Sequence, residues 1–364
     1  MRPRLFESVR EKTIVGASSA RPRLARLLWR YIVGAPFGRL QLLFLEADMD
    51  KSNKPFVLAV CGPTASGKTR LGVELAKLYG GEVVSADSMQ IYKGMDIASA
   101  KPTEEEMQGI PHHLIGVIDR DTPFSAADYV KMAREVIADI LGRGKLPIIV
   151  GGTGLYVDSL LNNVQFSEMR SDPAYRESLY ELAREKGNEA LYAKLLAADP
   201  EAAQSIHMNN TVRVVRALEV IHLTGRRFSE LKVESIAEES PYDSLILGLN
   251  AADRAVLYER INQRVDAMVE AGLVEEARAV YSEGNLRTAA NAIGYKELIP
   301  FFEGEMPLDE CIDKIKQETR RYAKRQLTWF RRNERIRWIV TDDFSKNYEI
   351  LENSKKAIAN YGRV

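Results

Sequence analysis

The sequence predicts an α/β protein, a parallel sheet flanked by helices that also carries a helical insertion domain and a helical C-terminal region. Three observations predict it. Short apolar runs at 56–61, 82–86, 147–150 and 245–249 have the length of buried strands. Segments of helical periodicity alternate with them, as in parallel sheets covered on both faces. Between 165 and 243 the chain is polar, helical in pattern and without strong strands, after which the strand pattern resumes.

The elements follow in order. Phe56-Val-Leu-Ala-Val-Cys61 reads as a buried strand running into a glycine-rich turn, and Leu71, Leu75 and Leu78 mark one face of the helix after it. Glu82-Val-Val-Ser-Ala86 is the second strand. Val130, Ala133, Ile137 and Leu141 give a helix over 126–141. Pro147-Ile-Ile-Val150 is a strand that enters Gly151-Gly-Thr-Gly154 and another helix. The insertion carries turn signals at Ser171-Asp-Pro173 and Asp199-Pro200. Amphipathic helices are expected from the strand at 245–249 to about Asn333, then a short strand at 337–340. The organisation expected is an N-terminal extension (1–54), a core (55–164), the helical insertion (165–243), the rest of the core with basic helices (244–345) and a weakly specified tail (346–364).

Bulk properties exclude little. Lys+Arg and Asp+Glu both total 51, so any sign of a nucleic-acid partner must come from local clustering. Cys61 and Cys311 make neither a CxxC pair nor a zinc pattern, which suits a reducing compartment, the cytoplasm. Nothing after residue 55 has the uninterrupted apolar length of a membrane span. Residues 1–39 hold nine Lys/Arg against Glu7 and Glu11, a composition that can mimic an organellar transit peptide. The plainer reading is an upstream start, with the protein proper beginning near Met49.

Gly62-Pro63-Thr64-Ala65-Ser66-Gly67-Lys68-Thr69 fits the phosphate-loop pattern G-x-x-x-x-G-K-[ST] between a strand and a helix. This makes the expected fold P-loop NTPase-like. Glycines let backbone N–H groups turn toward phosphate oxygens, and the helix N-terminus adds partial positive charge. Lys68 adds a point charge, and the Thr69 hydroxyl is suited to Mg²⁺, the one cofactor expected. The motif says that a diphosphate is bound and does not say that the ligand is ATP.

Further blocks follow in a set order: Asp87-Ser88-Met89-Gln90-Ile-Tyr-Lys-Gly-Met-Asp96, Ala98-Ser-Ala-Lys101-Pro102, His112-His113-Leu, Phe124-Ser-Ala-Ala-Asp-Tyr129, Gly151-Gly-Thr153-Gly-Leu-Tyr156, Arg213-Val-Val-Arg216, Gly294-Tyr295 and Lys324-Arg325-Gln-Leu-Thr328-Trp329-Phe-Arg331. Over about 56–340 the chain resembles the tRNA dimethylallyltransferase family, bacterial type. The resemblance implies transfer of a dimethylallyl group from dimethylallyl diphosphate to N6 of the adenosine 3′ to the anticodon, at tRNA position 37, with release of pyrophosphate. It implies that Asp87 is the base that takes the amine proton. A Mg²⁺-binding or capping aspartate is the other reading. Lys68, Thr69 and Arg264 would complete the catalytic set, Arg264 on the pyrophosphate. Asp87, Ser88, Met89, Gln90, Thr153, Arg176, Arg213 and Arg216 match positions that contact tRNA. Ala98-Ser99, Val212 and Asn291 depart from the frequent family residues, and the zinc finger of eukaryotic members is missing.

Residues 320–337 hold eight Lys/Arg against Glu334 alone. Read as one helix, Arg321, Lys324, Arg325, Arg331 and Arg335 form a basic stripe opposite Ile315, Tyr322 and Trp329, suited to the phosphates of a tRNA anticodon arm. Trp329 is expected in the core, and adjacent His112 and His113 in structural roles. No membrane partner is expected, and a monomer is. Two enzymes compete with this reading, a small-molecule P-loop kinase and an adenylate isopentenyltransferase. A non-catalytic RNA-binding P-loop protein is a third, opposed by the presence of both Lys68 and Asp87.

Overall fold

The computed structural model describes residues 54–165, 172–235, 239–284, 292–340, 342–343 and 346–364. The N-terminal extension and Asn291 lie outside the described residues. Residues 54–364 form one compact unit.

Six parallel strands make one sheet: β1 (Phe56–Cys61), β2 (Gly81–Ser85), β3 (His112–His113), β4 (Leu146–Gly151), β5 (Asp243–Asn250) and β6 (Ile336–Val340), in the order β3-β2-β4-β1-β5-β6. Alternate residues of a strand face opposite sides, so each strand feeds two cores. Val57, Ala59 and Cys61 join a layer with α3 (Ala126–Gly142), α4 (Gly154–Leu161) and α10 (Leu273–Ser282). Leu58 and Val60 join the opposite layer with α1 (Lys68–Tyr79), α9 (Arg254–Glu270) and α13 (Asn347–Tyr361). The long helix α12 (Leu308–Phe330) serves both, with Ile315 and Phe330 in the first layer and Ala323 and Leu327 in the second. The short helices α2 (Glu104–Met107) and α11 (Ile299–Phe302) lie within connections. Ser125 and Thr103 begin α3 and α2 with reciprocal capping boxes. Leu78 departs from the apolar face expected of α1 and is 51% exposed.

The insertion builds its own small core. Asp172 and Asp199 cap α5 (Pro173–Ala198) and α6 (Pro200–Ser205), each with proline at the first helical position. Leu179, Leu191 and Leu195 pack there with Val214 and Leu218 of α7 (Thr211–Thr224), and α8 (Phe228–Glu234) follows. Gly187, at φ 80° and ψ 167°, breaks α5 in two, a conformation open essentially to glycine alone.

Two expectations need correction. The tail is a helix: Ile350 and Ile358 are buried against α1 and the sheet, while Tyr361 Oη and Arg363 Nε each donate to Asp243 at 2.5 Å. Its apolar residues at 350 and 358 are two turns apart, too sparse a stripe to read without the surface they cover. Ile358→Ala should therefore cost about 2–5 kcal/mol, read as a lowered midpoint in urea. A midpoint unchanged from wild type would show that α13 adds nothing to the fold. The basic stripe is likewise not one helical face, because α12 ends at Phe330 and Arg331 is its C-cap. Arg335 lies beyond the helix and donates to Asn162 and Ser244 at 3.1 and 2.5 Å, and Arg320 donates to Asn262 at 2.5 Å. No described helix is long and apolar enough to cross a membrane.

Candidate active site

Strand order brings the motifs together. β4 lies between β1 and β2, with Gly151 beside Cys61 and Val150 beside Ser85. The phosphate loop, the Asp87 block and the Gly152-Thr153 turn therefore leave the same carboxyl edge at one level, where ligands bind in open parallel sheets. Gly151 permits this closeness, since a Cβ there would stand 2.1 Å from the Ala86 carbonyl oxygen.

The phosphate loop ends at Gly67, whose φ of 85° starts α1 at Lys68. Lys68 Nζ donates to Pro63 O at 3.2 Å, and Arg260 Nε donates to Ala65 O at 3.0 Å. Ser66 Oγ is buried with no hydrogen-bond partner in the protein, as a group held for a ligand oxygen would be.

Asp87 caps the turn it begins, one of the readings open for this residue. Its Oδ1 accepts from the backbone N–H of Met89 and Gln90 at 2.9 and 3.3 Å, capping the turn, which leaves Oδ2 to meet a ligand. Ser88 N–H donates to Thr153 Oγ1 at 3.0 Å. Gln90 accepts from Ser85 Oγ at 3.0 Å and donates to the carbonyls of Ser99 and Ala100 at 3.3 and 3.0 Å, so its amide orients the next loop. That loop is also held from behind. Glu276 of α10 accepts from the N–H groups of Asp96, Ile97 and Ala98 at 2.7–2.9 Å and from Tyr295 Oη at 2.7 Å.

These loops enclose a cavity of about 300 Å³. Its lining includes the polar Thr64, Lys68, Thr69, Asp87 and Arg264 and the apolar Val83, Ile115, Met268, Leu273 and Ile315. Ser88, Met89, Gln90 and Arg325 also line it, with Tyr322 and Gln326, which sequence reasoning missed. The available signal was a polar residue, Gln326, one turn from Tyr322 on the apolar face of α12. Glu276 and Arg260 had no such signal.

The remaining residues singled out from sequence lie elsewhere or play other parts. Fully buried Glu219 pairs with Arg176 at 2.7 Å and Arg216 at 2.6 Å, leaving both guanidiniums partly exposed. Arg213 is exposed on α7, and Lys324 on α12. Trp329 donates from Nε1 to Asp158 at 2.5 Å and packs on Gly154. His113 bonds buried Glu82 at 2.8 Å. His112 Nδ1 meets Ile110 O at 2.8 Å while Nε2, buried without a protein partner, belongs to a ring lining the cavity.

Burial and the neighbouring Arg264 hold the Lys68 ammonium down at about 8, against the pull of Asp87. Burial also works against the Arg264 charge, which Glu106 and Asp87 support. An anion in the cradle favours protonated Lys68. Below pH 8 that proton is already present, and above it binding must take one up. Affinity for a diphosphate ester should thus fall as pH rises from 8 to 9.5, approaching about tenfold per unit. Calorimetry in buffers of different ionisation enthalpy would show the proton uptake, and a flat profile would contradict this account of Lys68.

Fold and cavity define an α/β protein in which a glycine-rich G-x-x-x-x-G-K-T loop and a carboxylate line one cavity. A family model described as IPP transferase matches residues 90–333. The chain is 52% identical over 309 residues to a tRNA dimethylallyltransferase of Bacillus velezensis, covering 83% of this chain and 97% of that one. It is 50% identical over 292 residues to that of Bacillus subtilis, covering 80% and 92%. The crystal structure of a Bacillus halodurans tRNA isopentenylpyrophosphate transferase matches with TM-score 0.62 and 45% identity over 85% of this chain and 98% of that one. A eukaryotic dimethylallyltransferase acting on tRNA matches with TM-score 0.71 and 29% identity, over 84% and 80%. The chain belongs to the tRNA dimethylallyltransferase family.

Proposed function

We propose that this protein transfers the dimethylallyl group of dimethylallyl diphosphate to N6 of the adenosine 3′ to the anticodon of tRNA. The observation that carries the reading is that Lys68, Thr69, Arg264 and Asp87 line one cavity together. In the reaction the adenine nitrogen forms a bond to the first prenyl carbon as the carbon–oxygen bond breaks. Pyrophosphate leaves with the electron pair, and the N6 proton passes to Asp87 Oδ2.

The groups present suit each demand. Negative charge grows on the leaving diphosphate, and the loop N–H groups, Lys68 and Arg264 face it without having to reorganise. The apolar wall takes the prenyl chain and excludes water. An exocyclic adenine amine is barely basic and loses a proton as it attacks, so a carboxylate beside it is the fitting base. The described residues contain no group of three or more His, Cys, Asp or Glu able to hold a metal. The Thr69 hydroxyl, which lines the cavity, would be the protein group to hold Mg²⁺ there. Bound so, the ion would neutralise charge on the leaving group.

Exposed Lys324 and Arg331, exposed Arg325 at the cavity and the Arg176–Arg216 pair of the insertion support a grip on the anticodon arm. The adenine must be flipped from its stack to reach Asp87, at a cost of a few kcal/mol that these contacts offset. The double reversal Lys324→Glu with Arg331→Glu should weaken tRNA binding and lower its log–log salt slope by about two units. Binding of dimethylallyl diphosphate should stay unchanged. Identical salt curves for mutant and wild type would remove both residues from the interface.

The direct test of the reading is turnover without ATP. With tRNA, dimethylallyl diphosphate and Mg²⁺, the RNA should gain the prenyl mass and pyrophosphate should appear in equal amount. An absolute need for ATP would favour a kinase instead.

A further inference from the structure

Gln326 is buried on α12, and both ends of its amide are used across long stretches of sequence. Nε2 donates to the Gly152 carbonyl at 2.9 Å, and Oε1 accepts from the Thr64 backbone N–H at 2.9 Å. One side chain thereby bridges the phosphate loop and the turn that carries Thr153. The contact is shaped from both sides. A Cβ at Gly152 would stand 2.2 Å from Gln326 Nε2, so only glycine leaves room for the amide. One turn earlier on the same helix, Tyr322 lines the cavity, and three residues later Trp329 packs on Gly154. The cavity-facing side of α12 is therefore seated on the two loops that present opposite sides of the reaction. Thr153 accepts from Ser88, next to Asp87, and Thr64 belongs to the diphosphate cradle.

We propose that Gln326 is a positioning residue for group transfer, one that sets the spacing between the phosphate loop and the Asp87–Thr153 loop pair. This rests on the reading of the cavity given above. The physical reason is that transfer needs the prenyl carbon and the adenine nitrogen about 3–3.5 Å apart and aligned, and a shift of about 1 Å can cost on the order of 10²-fold in rate. Each substrate touches mainly its own loop. Loosening the link between the loops therefore affects their relative position more than the affinity of either.

Gln326→Met keeps the shape and removes both hydrogen bonds, whereas Gln326→Glu keeps an acceptor for Thr64 N–H and loses the donor to Gly152. For Gln326→Met, kcat at saturating tRNA and dimethylallyl diphosphate should fall by about tenfold or more, with each KM within about threefold of wild type. Gln326→Glu should lose kcat in the same way and also bind the diphosphate more weakly, because its charge stands beside the cradle. Hydrogen exchange should show protection lost at 62–67 in Gln326→Met, with protection of β1 and β4 retained. Full kcat in Gln326→Met would overturn the inference, as would a loss confined to KM or one matching the fraction of unfolded protein. If the wild-type protein itself prenylates no tRNA, the reading of the cavity fails. The bridge is then judged by exchange alone, and undiminished protection of the phosphate loop in Gln326→Met would overturn it.

Discussion

Asp87→Asn is expected to lower kcat by about 10²–10⁴-fold while tRNA binds nearly as tightly as to wild type. Asparagine keeps an oxygen where Oδ1 caps Met89 and Gln90, so the turn and the loop beyond it should survive. What it removes is the acceptor for the N6 proton, a group needed in the transition state more than in ground-state binding. The substitution thus separates the two readings of Asp87. A capping aspartate predicts little change for asparagine and a large loss for alanine, and a base predicts a large loss for both. Single-turnover rates on preformed tRNA complexes would read the chemical step, and full turnover in Asp87→Asn would exclude Asp87 as the base.

Lys68→Ala should be nearly as severe, at about 10²–10³-fold in kcat/KM. Lys68 brings its charge into the cavity at the cost of burial, and Pro63 O is its near protein partner. That arrangement is sensible only if an anion restores the solvation the ammonium has lost. Removal should therefore weaken dimethylallyl diphosphate, pyrophosphate and the leaving group of the transition state together. It should leave the protein folded or slightly stabilised, since a costly buried charge goes with it. Calorimetric titration with pyrophosphate checks the binding half. Wild-type affinity in Lys68→Ala would mean that the diphosphate sits elsewhere.

Much of the core was legible because its signals are local. The strand at 56–61 with its phosphate loop and the helix expected over 126–141 each follow from a few adjacent residues, and the two Asp-Pro turn signals prove to be the starts of α5 and α6. Lys68 stands out through the phosphate-loop motif and Asp87 through the family resemblance, and both line the cavity. What escaped depends on residues far apart in the chain. Gln326 meets Thr64 across 262 positions, and Glu276 meets Ala98 across 178. No periodicity encodes such pairs, and only the strand order that sets β4 between β1 and β2 brings them together. The basic run at 320–337 misled in another way. Its composition reads as one helix, but the helix ends at Phe330 with Arg331 as its C-cap, and Arg335 is spent on Asn162 and Ser244. The tail was missed because α13 is stabilised by the surface it covers, and little of that is visible in its own pattern.

The most direct measurement offers the wild-type protein dimethylallyl diphosphate and Mg²⁺ with tRNA and AMP together, then digests the RNA and maps the modified nucleoside by mass spectrometry. The account predicts a single N6-prenylated adenosine, located 3′ to the anticodon, with AMP unchanged and no ATP required. Prenylated AMP beside unmodified tRNA, or modification at scattered adenosines, would contradict it.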